Sequence, residues 1–271
     1  MGKRKILFFF ILFFLLLLVL SNRTSAGGEI ILGDSREQIE RLECAEPTAE
    51  ELQFSYSSKY VMAQSNKIGA ECDKIIEHLI ARYGEPKKWT QFPVIFTSAP
   101  GGNIAGYTSY IAPVVSKVVV YQSYEQAVGG TLDHELTHAF FFYYFNSNFD
   151  LFLNEGLAQN SEYKRRNVLR QTVYVRYTNG DFWPLNQLYN RNQYDSALRI
   201  YHEGFSVVDF LIARGGSRWF AWFVDDLTNS TRNINKSLLE WYGYKTLSEL
   251  ENAWIKYIEE GQNTKSAIPV K

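Results

Sequence analysis

The chain has almost no net charge, with a formal value of -1 across 271 residues. It therefore lacks the extended basic field that a phosphate backbone demands, and no nucleic-acid partner is expected. Cysteine is scarce as well: two residues, Cys44 and Cys72, permit one disulfide at most. There are only four histidines. No internal repeat or low-complexity tract appears beyond the N-terminus, and nothing marks an inhibitory propeptide, although residues 27–47 are long enough for a short one. What is present is a chain of 46% apolar and 21% charged residues, enough for one substantial core or a domain of two lobes.

The one long apolar run, Ile6 to Leu20, follows Lys3, Arg4 and Lys5 and gives way to small and polar residues. This is the layout of a secretory signal, with a cleavage position after Ala26. Its length falls short of the roughly 20 residues that span a bilayer comfortably. Residues 1–26 are thus expected to direct a secreted or extracytoplasmic protein of the periplasm or cell envelope. A membrane enters only if this segment stays attached as an anchor. In an oxidising compartment a Cys44–Cys72 bridge is expected, worth about 3 kcal/mol through the entropy of the unfolded chain.

Residues 27–271 form the expected domain, a mixed helix and sheet lobe over 27–128 and a helical lobe over 129–262. Helical spacing of Ile68, Cys72, Ile75, Ile76, Leu79 and Ile80 predicts a long helix ending at Gly84. Strands are predicted over Pro93 to Phe96, Ile104 to Ile111 and Lys117 to Tyr121, with Pro113 as a break. After Gly129-Gly130, helices are expected at Leu132 to Phe145, from near Asn154, and at Ile200 to Ala213, Arg218 to Leu227, Asn235 to Tyr242 and Leu247 to Glu259. The aromatic run Phe140 to Phe145 reads as core, and His78 as a surface or packing residue. Asn229 and Asn235 open glycosylation patterns that matter only in a eukaryotic host. The pattern is α+β, with chemistry expected where the lobes meet.

His134-Glu135-Leu136-Thr137-His138 sets two imidazoles one helical turn apart on the same face, within reach of one cation. A catalytic zinc takes three protein ligands and keeps one position for water. Glu155, in Asn154-Glu155-Gly156-Leu157-Ala158 on the next predicted helix, can return to the histidine face and supply the third. Gly156 and Ala158 are small enough for those two helices to approach closely.

HELTH followed by NEGLA resembles the gluzincin branch of the zincin metallopeptidases. The metzincin pattern is excluded, because Phe141 and Tyr144 stand where it needs glycine and histidine. The resemblance implies a zincin-like fold and one Zn2+ per chain held by His134, His138 and Glu155. It also implies that Glu135 is the general base in hydrolysis of a peptide or protein substrate. Related enzymes often carry an acid four residues after the glutamate ligand, where this chain has Gln159. Tyr201 and His202 are the candidates to steady negative charge on the substrate carbonyl. Substrate would join the sheet at an edge formed by Ala105 to Tyr110 or Val118 to Gln122. The competing expectation is a metal-binding or interaction module of the cell envelope that does not turn over substrate.

Overall fold

The computed structural model describes residues 53–98, 105–111, 113–145, 149–189 and 197–263. The expected signal segment and Cys44 lie outside them. Among the described residues, no helix is long and apolar enough to cross a membrane.

Two short strands, β1 (Tyr56–Ser57) and β2 (Val61–Ala63), lead into helix α1 (Asn66–Tyr83). Ser65 caps α1 by accepting the Ile68 amide, and the Gly84 amide closes its end on the Ile80 carbonyl. The chain then enters β3 (Phe92–Phe96), β4 (Gly106–Ile111) and β5 (Val114–Val120). The sheet order is β1-β2-β3-β5-β4. Strands β2, β3 and β5 run parallel, while β1 and β4 pair antiparallel with their neighbours. Strand β5 begins three residues before its predicted start, because the turn at Pro113 makes β4 and β5 a hairpin rather than two separated runs. It is interior, so the reading of Val118 to Gln122 as a sheet edge is overturned. Of the two strands in question, β4 lies at an edge of the sheet, with β1 at the opposite edge.

After the one-turn helix α2 (Tyr124–Ala127) comes α3 (Thr131–Phe145), the helix carrying HELTH. Every residue from Leu132 to Phe145 is buried, as befits a helix apolar nearly all round. Phe140, Phe141 and Phe145 pack against Tyr83, Tyr144 and one another, so the aromatic run is core, as its composition predicts. Cys72 is wholly buried on the α1 face that meets this core.

The remaining chain is helical: α4 (Leu151–Ser161), α5 (Arg166–Thr178), α6 (Leu185–Tyr189), α7 (Ala197–Gly215), α8 (Ser217–Asp225), a π-helical turn (Asp226–Thr231), α9 (Ile234–Tyr242) and α10 (Leu247–Asn263). Helix α7 is the hub. Its Ser206 accepts the buried Trp254 indole of α10, and its Asp209 binds Arg170 of α5 and Tyr257 of α10. A single buried apolar cluster extends from Val61 to Ile258, so the sheet-bearing and helical halves share one core. A smaller group, Ile95, Tyr107 and Val119, lies apart from it.

Candidate metal centre

Helix α3 supplies His134 and His138, and α4 supplies Glu155. The two Nε2 atoms lie 3.1 Å apart. Glu155 Oε2 is 3.3 Å from the first and 3.5 Å from the second. At a Zn–N distance of about 2.05 Å, two ligands of a tetrahedral ion sit about 3.3 Å apart, which is the size of this triangle. All three side chains are buried, Glu155 completely. Neither Glu155 oxygen has a hydrogen-bond partner among the described residues.

Each imidazole is held from behind. His134 Nδ1 meets Glu162 Oε1 at 2.8 Å, and His138 Nδ1 meets Asn154 Oδ1 at 3.0 Å. A carboxylate and an amide oxygen can only accept, so each Nδ1 carries hydrogen and each Nε2 is left to face the triangle. Three electron-rich atoms so arranged need a positive charge among them. For the protein alone that charge is a proton: burial disfavours it, but Glu155 and Glu162 outweigh burial and hold His134 well above its ordinary value. In turn, burial of Glu155 is outweighed by His138 and His134, which hold its carboxyl down to about 2. The donor set therefore fits a divalent cation, and the trio could hold one.

Glu135 is 4% exposed. Burial raises its pKa, with His134, His138 and the Thr108 hydroxyl opposing. Thr108 of β4 donates to Glu135 Oε2 at 2.8 Å and also lies 2.9 Å from the Glu135 carbonyl. Strand β4 reaches so close because residue 106 is glycine: a Cβ there would meet the Val119 carbonyl at 2.7 Å and Thr131 Cγ2 at 2.9 Å.

The structure differs from the sequence reading in two respects. Gly156 does not serve the α3–α4 contact. It faces Gly204 of α7, where an added Cβ would stand 2.2 Å from the Gly204 carbonyl oxygen. The acid behind His134 is Glu162, seven residues after Glu155, and not position 159. Gln159 is 7% exposed, and its Oε1 has no hydrogen-bond partner among the described residues. Positions 155, 159 and 162 share a helix face, so the 3.6-residue period carried a signal for Glu162. Nothing in sequence pointed to Thr108 or Asn154.

The Tyr201 ring lies 6.1 Å from the His134 ring, centre to centre. His202 Nδ1 is buried without a hydrogen-bond partner, and burial with Arg176 and Arg165 pushes the imidazole down to about 4, so it is neutral at pH 7. His78 is exposed and takes no part in this site.

Fold and site together define an α+β protein with a small mixed five-stranded sheet and a buried cluster of two histidines and one glutamate suited to a metal ion. No family model, curated protein or solved structure matches the chain.

Proposed function

We propose that this protein is a zinc-dependent metallopeptidase of the gluzincin kind with a zincin-like fold. The observation that carries the reading is the triangle of His134, His138 and Glu155 at tetrahedral spacing, with Glu135 on the same helix beside it. Zinc bound there supplies a polarised water and a Lewis acid for the scissile carbonyl. Glu135 takes a proton from the attacking water and passes it to the leaving amine nitrogen, converting amide and water into carboxylate and amine. Thr108 fixes the carboxylate's direction.

The edge strand β4 supports an extended substrate that pairs with Ala105 to Tyr110. Tyr201, beside His134, is better placed than His202 to donate to the carbonyl oxygen as it gains charge, because its ring contact with a ligand is direct.

The test is zinc content and peptide hydrolysis of the wild-type chain, Glu135→Gln and His138→Ala. One zinc per wild-type chain is expected, kept by Glu135→Gln and lost by His138→Ala. Hydrolysis should fall about a hundredfold to ten-thousandfold in Glu135→Gln. A wild type that binds zinc yet hydrolyses no member of a peptide library is a binding module. Equal absence of zinc from wild type and His138→Ala, with zinc supplied, would remove the metal reading itself.

A further inference from the structure

A second site lies on the far side of α4, where two helices bring arginines together and a third adds a serine. Arg82, in the last turn of α1, and Arg166, at the start of α5, both point a guanidinium nitrogen at one amide oxygen, Asn160 Oδ1, each at 3.4 Å. Arg82 also reaches Ser217 Oγ at 3.4 Å, and Arg166 donates to the Asn160 carbonyl. These are bonds to neutral groups, most of them long. Neither arginine has a carboxylate partner among the described residues.

The acid that acts on Arg166, Asp209, is already committed. Asp209 takes Arg170 in a two-pronged pair at 2.8 and 2.9 Å, and accepts Tyr257 OH at 2.9 Å and Asn160 Nδ2 at 3.2 Å. That last bond also fixes the Asn160 amide so that its oxygen must face the two arginines. Three guanidiniums, those of Arg82, Arg166 and Arg170, therefore share the one carboxylate of Asp209, which acts on Arg166 only through space, while Arg82 lies over the Tyr83 ring. Their neighbours register the field: beyond the effect of burial, Arg82 and Arg166 lower the pKa of His78, which stands one helical turn before Arg82, and Arg82 lowers that of Arg166. Arg166 Nε is buried without a hydrogen-bond partner among the described residues. The α8 N-terminus opens at Ser217 with no side-chain cap, so its first amides add positive character to the same spot.

We infer that Arg82, Arg166 and Ser217 form a binding site for a doubly charged oxyanion, either inorganic phosphate or the phosphate of a small monoester. A dianion matches the excess of two positive charges left when Arg82, Arg166 and Arg170 share Asp209, and a tetrahedral group matches donors arriving from three separate helices. A single carboxylate, with one negative charge, would offset only half of that excess. The site is independent of the metal centre, sharing none of its ligands.

The experiment is calorimetric titration of the full chain with inorganic phosphate at constant ionic strength, beside His138→Ala, Arg82→Met, Arg166→Met and the distant control Lys74→Met. Saturable one-site binding is expected in wild type, His138→Ala and Lys74→Met, with affinity about tenfold weaker or worse in each arginine variant. Arg82→Lys, which keeps the charge and loses the fork, should fall between. Arg82 is only half-buried, so its variants keep the test open if Arg166→Met does not fold. Binding that disappears in His138→Ala but survives in Arg82→Met would put the phosphate on the metal and overturn the inference. So would equal binding in wild type and both arginine variants, or no binding by wild type. Glycerol 3-phosphate distinguishes the two sources: equal affinity assigns the site to a monoester, a tenfold loss to free phosphate.

Discussion

Glu162 and Asn154 each hold one imidazole by its Nδ1 hydrogen, so each is expected to set how tightly the site grips zinc. Glu162→Gln keeps an acceptor and loses the charge, while Asn154→Ala loses the acceptor entirely. Zinc affinity should drop about 10-fold to 100-fold, with Asn154→Ala at least as severe for its own ring. Competition against a chromophoric chelator measures this, and unchanged affinity in both variants would show that the rings are positioned by packing alone. These two residues illustrate what sequence can and cannot deliver at this scale. The two histidines were legible because a four-residue spacing encodes a shared helix face, and Glu155 because the next predicted helix could turn its own face toward them. Glu162 sits on the continuation of that face, but the expectation looked four residues on, to Gln159, instead of seven. Thr108 was illegible, since its contact with Glu135 depends on strand order and register across the hairpin, which no local pattern specifies.

Helix α4 carries the candidate metal ligand Glu155 on one side and presses backbone to backbone against α7 on the other. At that crossing a Gly204 Cβ would stand 2.4 Å from the Phe152 carbonyl. Gly204→Ala must therefore push the two helices apart, at a cost on the order of 3 kcal/mol. Chemical denaturation should report the loss, and zinc affinity should fall with it because Glu155 rides on the displaced helix. A variant with native stability would mean the crossing is looser than described. The same helix α7 buries Glu203 completely. Burial pushes its carboxyl up to about 7, with the Trp183 amide, Arg176 and Arg199 opposing. From the ordinary value near 4.5 up to that level, the folded protein keeps a proton that the unfolded chain has released, so stability declines as pH rises through this window. Glu203→Gln removes the decline. Its melting temperature should match wild type at pH 5 and exceed it at pH 8, by the equivalent of at most about 3 kcal/mol. Identical pH slopes would show that Arg176, 3.5 Å away, compensates the charge in full. Most of the later helices were readable from periodicity, but α5 was not. Its Val168 and Val175 face solvent while only Leu169 and Val173 are buried, and its β-branched residues are indifferent helix formers. Neither its pattern nor its propensity announces a helix.

Across the whole molecule, one core joins sheet and helices, so the division into two lobes at residue 128 describes the order of elements better than their packing. The α+β class was legible because strand-like and helix-like runs are segregated along the chain. The sheet order was not, because it depends on the parallel crossover through α1. Since both ligand helices belong to the common core, zinc should stabilise the entire fold: at a free concentration a thousand times its dissociation constant, by about 4 kcal/mol. Calorimetric melting with zinc and after chelation checks this, and a melting temperature indifferent to zinc would separate the site from global stability. The encasement of α3 on every side also governs exchange with solvent. Its amide hydrogens should be among the slowest to take up deuterium, opening only when the molecule unfolds as a whole. A resident ion has no route out by helix opening short of that event. It must leave past the rim of His134, whose side chain is 10% exposed against 1% for His138 and none for Glu155. Metal turnover at this centre should accordingly be slow, with isotope-labelled zinc replacing bound zinc on a timescale set by that narrow rim.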